Sequence, residues 1–155
     1  MRITLLVAGG VLAVDVATKT AVMAGMIQGQ AIALIEGWLT LHYIRNPGAA
    51  YGLLTGYREL LVALTVGVIL GLLWYARQTK GSLERVAIGV LLGGAVGNLV
   101  NRVLWGPVTD FIEINPVAAL FQVFNVADVA VTTGTILLLW NAWRRFEVPG
   151  PQQFD

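Results

Sequence analysis

Carboxylates carry the hydrolytic chemistry that this sequence can offer, and it has four aspartates: Asp15, Asp110, Asp128 and Asp155. The chain contains no Cys, one His and one Ser, which excludes disulfides, Cys nucleophiles and a His-rich metal site. Two carboxyl groups that lie close together do not both ionise easily, so one keeps its proton while the other acts as a base. Such a pair activates water against an amide without a metal or a cofactor, and we expect neither here.

Polar residues recur at helical spacing in three separate apolar segments. The sets are Asp15, Thr18 and Lys19; Asn98, Asn101 and Arg102; and Asn125 and Asp128. Each set stands at i, i+3 or i+4 and therefore shares one helical face. Together with Asp110 we call these residues the polar cluster.

Ionisable groups within a spanning helix are functional candidates by default, because each costs about 2.5–3.5 kcal/mol at the bilayer centre. Structural interpretations remain open beside the functional one. Asp15 and Lys19 would form an ion pair, Arg102 would reach lipid headgroups, and the amides would bond across helices.

The elements that position these residues are membrane-spanning helices. Hydrophobic residues make up 57% of the chain and charged residues 12%, about half the charged share of a soluble domain. A span takes about 20 apolar residues, and four segments qualify, at approximately 3–23, 60–76, 86–104 and 124–143. The first is longer than the core of a signal peptide and contains Asp15 and Lys19, so we expect it to be retained. The sequence predicts one integral-membrane domain over residues 1–155, an all-α membrane protein.

The distribution of basic residues predicts the orientation. One set of flanks holds six of them: Arg2, Arg77, Lys80, Arg85, Arg144 and Arg145. Both termini are therefore expected in the cytoplasm, with the loops near 25–59 and 105–123 outside. Since helices alternate in direction, the polar cluster gathers at the outer face. The net charge of +1, without a basic stripe, gives no reason to expect a nucleic-acid partner.

The outer loops contain two stretches typical of β-strands. Residues 38–45 are rich in β-branched and aromatic residues and are followed by the turn signal Asn46-Pro47-Gly48. Residues 108–115 lie between two prolines. These patterns predict a small sheet at the outer interface; the alternative is irregular loops with Trp38 and Tyr43 as interfacial anchors.

Glycines at four-residue spacing predict close helix contacts in lipid. They occur on the third span at Gly89, Gly93 and Gly97, and on the second at Gly67 and Gly71.

Five motifs, in this order along the chain, closely resemble lipoprotein signal peptidase (signal peptidase II). They are residues 15–19 (DVATK), 46–52 (NPGAAYG), 93–102 (GGAVGNLVNR), 108–111 (VTDF) and 124–128 (FNVAD). Each motif alone is weak evidence for the family. Together, in this order and over nearly the whole chain, the motifs are highly specific.

The resemblance implies a bacterial inner-membrane aspartyl endopeptidase that cuts prolipoproteins on the amino side of a diacylglyceryl-modified cysteine. It puts the catalytic dyad at Asp110 and Asp128. Positions that bind substrate or support the dyad fall on Asp15, Lys19, Asn46, Gly48, Asn98, Arg102 and Asn125. It further implies contact with membrane lipid, a small outer sheet with a mobile helical segment near residues 49–56, and cyclic lipopeptide inhibitors such as globomycin. Nothing requires more than a monomer.

One residue departs from the family pattern, which usually has Asp where this chain has Asn101. We expect a structural role there, because Asp110 and Asp128 already supply an acid and a base. A non-catalytic member that binds lipopeptides is one alternative. A small transporter with Asp15, Lys19 and Asp128 as a proton relay is another, although the chain shows no internal repeat and its polar groups favour one interface.

Overall fold

Long apolar helices and one small sheet make up the molecule. The computed structural model describes residues 1–49, 53–118 and 122–147. Within these ranges the elements are α1 (Arg2–Gly25), β1 (Ala31–Ile35), β2 (Leu39–Asn46), α2 (Arg58–Gln78), α3 (Ser82–Trp105), β3 (Val108–Ile114), a 3-10 turn (Asn115–Val117) and α4 (Val126–Glu147). Each of the four helices has a stretch long and apolar enough to cross a membrane. The predicted fold class, four spanning helices with a small sheet, is confirmed.

Helix α3 is the centre of the bundle and packs against α1, α2 and α4. Half of its apolar window is buried within the protein, against 22%, 11% and 17% for α1, α2 and α4. Its end is set by Gly106, whose φ of 80° favours glycine, and by Pro107, which cannot continue a helix. The chain turns there directly into β3.

The glycines of α3 allow α1 to approach closely, as predicted. A Cβ on Gly89 would lie 2.7 Å from the carbonyl oxygen of Thr4, and one on Gly93 would lie 2.7 Å from that of Ala8. The same prediction was wrong for Gly67 and Gly71: among the described residues, an added Cβ at either position would meet no atom of another element within 4 Å. Glycine spacing alone does not distinguish a face turned towards another helix from one turned away.

The sheet is antiparallel with strand order β1-β2-β3. Strands β2 and β3 occupy the two stretches predicted as extended, whereas β1, an apolar run with every residue exposed, was not expected. Val22 of α1, Tyr43 of β2 and Phe111 of β3 form its buried core. Because β3 also contacts α3, the sheet covers the end of the bundle that holds the polar cluster.

Two predictions about element positions differ from the structure. Helix α4 begins at Val126 rather than at residue 124, because Phe124 pairs with Ile112 of β3. The mobile helical segment expected near 49–56 falls partly on residues 50–52, which lie outside the described residues. Residues 53–56 form a turn, in which Leu54 has a φ of 58°.

Candidate active site

Asp110 lies within β3 and is 2% exposed. Ile44 of β2 stands opposite it, so Asn46, the next residue on that side of β2, shares its face of the sheet. Asn46 Nδ2 donates to one carboxyl oxygen of Asp110 at 3.0 Å, and Asn125 Nδ2 donates to the other at 2.6 Å. Amide groups from two different elements thus hold both oxygens.

Asp128 is positioned by the way α4 begins. The side chain of Asn125 accepts a hydrogen bond from the backbone N–H of Asp128 at 3.0 Å, and Asp128 Oδ2 accepts one from the backbone N–H of Asn125 at 3.1 Å. This reciprocal exchange is a capping box, which satisfies two donors at the start of a helix. Asn98 Nδ2 of α3 donates to Asp128 Oδ1 at 2.7 Å. The capping exchange also orients Asn125, whose oxygen must face a backbone N–H and whose amino group is then left to face Asp110.

Asp15 and Lys19 form the predicted ion pair, at 2.8 Å, and both are fully buried. The pair also reaches other helices. Asp15 Oδ1 accepts from the backbone N–H of Ala127 at 2.8 Å, in the first turn of α4, and Lys19 Nζ donates to Asn98 Oδ1 at 2.9 Å. Space for the Asp15 carboxylate comes from Gly97, where an added Cβ would collide with it. The ion pair therefore connects α1 to the helices that carry Asn98 and Asp128.

Arg102 contacts the polypeptide rather than serving only as a headgroup anchor. Its Nη2 donates to the carbonyl oxygen of Gly48 at 3.0 Å, and the backbone N–H of Gly48 donates to Asn46 Oδ1 at 3.0 Å. Because that oxygen accepts from a backbone donor, the amino group of Asn46 faces Asp110. Arg102 and Gly48 thereby support the orientation of Asn46.

A cavity of about 580 Å³ opens beside these residues. Among the described residues, the carboxylates that line it are Asp110 and Asp128, whereas Asp15 does not line it. The cavity continues down α4 past Val129 to Thr132 and Thr133. All three are exposed, so the cavity reaches the helix surface that faces away from the bundle.

Burial is the main perturbation at Asp110. Desolvation, reinforced by the nearby charge of Asp128, raises the pKa of Asp110 to about 6, against the lowering effect of hydrogen bonds from Asn125 and Asn46. This carboxyl group therefore keeps its proton to a higher pH than an ordinary aspartate does.

Comparisons of the chain with known proteins show which family it resembles. The family model described as signal peptidase (SPase) II matches residues 7–144. Similar proteins include lipoprotein signal peptidases of Mycobacterium leprae, 37% identical over 90% of this chain and 70% of the relative, and of Pelotomaculum thermopropionicum, 41% identical over 84% of each.

The chain belongs to the signal peptidase II family. Its structure also superposes on a solved bacterial membrane enzyme, determined by the in meso method at 2.3 Å, with a TM-score of 0.92 and 29% identity over 100% of this chain and 96% of that one. A second, determined at 1.9 Å, gives a TM-score of 0.82 and 32% identity over 92% and 93%. The chain is thus a multi-pass bacterial membrane protease that cleaves signal peptides from prolipoproteins, and the transporter alternative is wrong.

Asn101, the departure from the signal peptidase II pattern, does not line the cavity. It is 1% exposed, and its Oδ1 accepts from the backbone N–H of Thr109 at 2.8 Å. An Asp oxygen would fill the same acceptor position, so Asn preserves this contact between α3 and β3.

Three other polar residues lie away from the cavity lined by Asp110 and Asp128. The hydroxyl of Thr18 donates to the backbone oxygens of Val14 and Asp15 in its own helix. Ser82 begins α3 and His42 lies in the sheet beyond the opposite end of that helix. A helix of this length spans roughly 36 Å, so these two residues cannot act together.

Sequence reasoning missed two features of this site. The capping box had a readable signal, an Asn followed three positions later by an acidic residue before an apolar run. Arg45 and Arg58 had none, because no pattern in the sequence connects these two basic residues of the segment between the first two spans with the end of α3. In the structure they donate to carbonyl oxygens at the end of α3.

Proposed function

We propose that Asp110 and Asp128 form an aspartyl dyad that activates water against the peptide bond on the amino side of a diacylglyceryl-modified cysteine. One observation carries this proposal: of the three aspartates in the polar cluster, these two line the cavity. Asp15 is occupied by Lys19 and by the first turn of α4.

The hydrogen bonds around the dyad favour this role. Each carboxyl group receives two N–H donors, from Asn46 and Asn125 at Asp110, and from Asn98 and the Asn125 backbone at Asp128. None of these donors can accept a carboxyl proton. A proton held by the pair is therefore directed to the contents of the cavity, which are water or the scissile carbonyl.

The two carboxyl groups would divide the work. The ionised one takes a proton from water, and the resulting hydroxide attacks the scissile carbonyl carbon while the protonated one donates to the carbonyl oxygen. The tetrahedral intermediate then collapses, the C–N bond breaks and a proton passes to the leaving amine. A pKa of about 6 at Asp110 suits this exchange, and the pair titrates as one unit.

The shape of the cavity suits a substrate that is part peptide and part lipid. One part of its wall carries the dyad, Asn98 and Arg102. The other part follows α4 to an exposed, largely apolar surface. A lipid-modified cysteine would enter sideways from the bilayer. We place the site at the outer face of the inner membrane with both termini in the cytoplasm, as the basic flanks predict, and expect a monomer that cyclic lipopeptides such as globomycin inhibit.

Purified protein and a lipidated precursor test the dyad. Asp110→Asn and Asp128→Asn should each lower the cleavage rate by about 10²–10⁴, the range of general acid–base catalysis, with folding shown by a retained cooperative unfolding transition. The matched control is Asp155→Asn, the same substitution at the aspartate outside the cluster, which should keep full activity. Retained turnover in either dyad variant would overturn the assignment.

A further inference from the structure

Arg58, the first residue of α2, binds the end of α3. Its Nε donates to the carbonyl oxygen of Arg102 at 2.7 Å, and its Nη2 donates to that of Val103 at 2.9 Å. The planar fork of a guanidinium group suits two neighbouring acceptors. The contact joins α2 to α3 at the level of the polar cluster.

The acceptors are atoms that would otherwise lack partners. The last four carbonyl groups of a helix have no intrahelical donor, and α3 ends at Trp105, so those of Arg102 and Val103 are among them. Arg45 supplies a second guanidinium, which donates to the carbonyl oxygen of Trp105 at 3.1 Å. Cations are also favoured at this negative end of the helix dipole. Arg58 thus fixes the last turn of α3 rather than only occupying a loop.

That turn begins a continuous series of hydrogen bonds to the dyad. The side chain of Arg102 donates to Gly48, Gly48 donates to Asn46, and Asn46 donates to Asp110. We propose that Arg58 is a positioning residue for catalysis, which orients Arg102 and, through Gly48 and Asn46, Asp110. This inference rests on the proposed dyad, and it adds a residue that does not line the cavity.

Two kinetic consequences separate positioning from general stability. Because Arg58 lies outside the cavity, its loss should lower kcat and leave KM nearly unchanged. Because the Asn46 hydrogen bond lowers the pKa of Asp110, loosening it should move the limb of the pH–rate profile that Asp110 governs to higher pH. Within the described part of the chain, the other charged groups that act on Asp110 are Asp128 of α4, Lys19 of α1 and Arg102 of α3, and none of them is substituted in this test.

The experiment measures cleavage of a lipidated precursor by the full-length protein between pH 5 and 8. Arg58→Gln should lower kcat by about 10- to 100-fold, the cost of a misplacement of about 1 Å, and should shift that limb upward. Arg58→Lys, which keeps one donor group, should restore part of both effects. Arg77→Gln is the matched control at the other end of α2 and should behave like the unaltered protein. In an Asn46→Ala background, Arg58→Gln should produce no further pH shift.

The outcomes are distinct. Unchanged kcat and pH profile in Arg58→Gln would overturn the proposal. A loss of activity that only follows the folded fraction, without a pH shift, would assign Arg58 to stability and overturn it as well. If Asp110→Asn and Asp128→Asn abolish cleavage while Arg58→Gln is silent, this inference fails and the dyad stands. If the dyad variants remain active, the proposed function itself fails.

Discussion

Lys19 of α1 and Asn98 of α3 meet through a single hydrogen bond, in which the ammonium nitrogen donates to the amide oxygen at 2.9 Å. An ammonium group carries only donors, so the oxygen of Asn98 must face Lys19. Its amino group is then directed at Asp128. Asn125 Nδ2 also donates to the Asn98 oxygen, at 3.2 Å. The charge on α1 thus helps to decide which end of the Asn98 amide meets the proposed dyad.

Lys19→Met should reduce both stability and activity. It leaves Asp15 buried without its counter-charge, which costs about 3–5 kcal/mol. It also removes the stronger of two donors to the Asn98 oxygen, so that only Asn125 Nδ2, at 3.2 Å, still holds this oxygen away from Asp128. Adding Asp15→Asn should recover much of the thermal stability, because both charges are then gone, but little of the cleavage rate. Unfolding midpoints and precursor cleavage measured side by side check this. Equal recovery of both would show that Lys19 does not orient Asn98.

Asn101→Asp should leave cleavage nearly unchanged. The residue accepts a hydrogen bond from the backbone of Thr109 outside the cavity, and a carboxylate oxygen accepts equally well. Cleavage rates of the two proteins on the same lipidated precursor are the measurement. Activity that appeared only in the Asp variant would instead identify this chain as a non-catalytic binder.

Stability should fall as pH rises through the titration range of Asp110. Its pKa is raised in the folded protein from 3.8 to about 6, so the folded state binds more protons than the unfolded state in that interval. The free energy of unfolding therefore decreases between about pH 4 and 6, by up to ~3 kcal/mol, and the contribution of Asp110 is constant above. Unfolding midpoints in detergent across this range should lose that slope in Asp110→Asn. An unchanged slope in the variant would assign the pH dependence to other groups.

Gly97→Ala and Gly67→Ala should have opposite outcomes. A Cβ at Gly97 collides with the Asp15 carboxylate, so the helices must separate at a cost of about 1–3 kcal/mol, and cleavage should fall with it. Gly67 has open space, and alanine is the better helix former, so this control should be neutral or stabilising. Thermal unfolding and cleavage of both variants provide the comparison. A harmless Gly97→Ala would contradict the close packing of α1 on α3.

The four helices and the shared position of the polar residues followed from the sequence alone. The sequence predicted β2 and β3 as extended but left irregular loops open as an alternative, and it did not predict β1. Apolar length determines the helices, because a backbone in lipid must satisfy its own hydrogen bonds. Spacing at i, i+3 and i+4 determined which side chains share a face. The scarcity of Ser, His and Cys left carboxylates as the candidates for catalysis.

Tertiary structure alone decided which neighbours those faces meet. It brought Asp15 to the first turn of α4, and left Asp110 and Asp128 in the cavity wall. It also brought Arg58 to the end of α3. Periodicity gives the direction of a side chain about its own helix axis, but it does not give the partner on another element. Amide orientation depends on which donors surround each group, and those donors come from residues far apart along the chain.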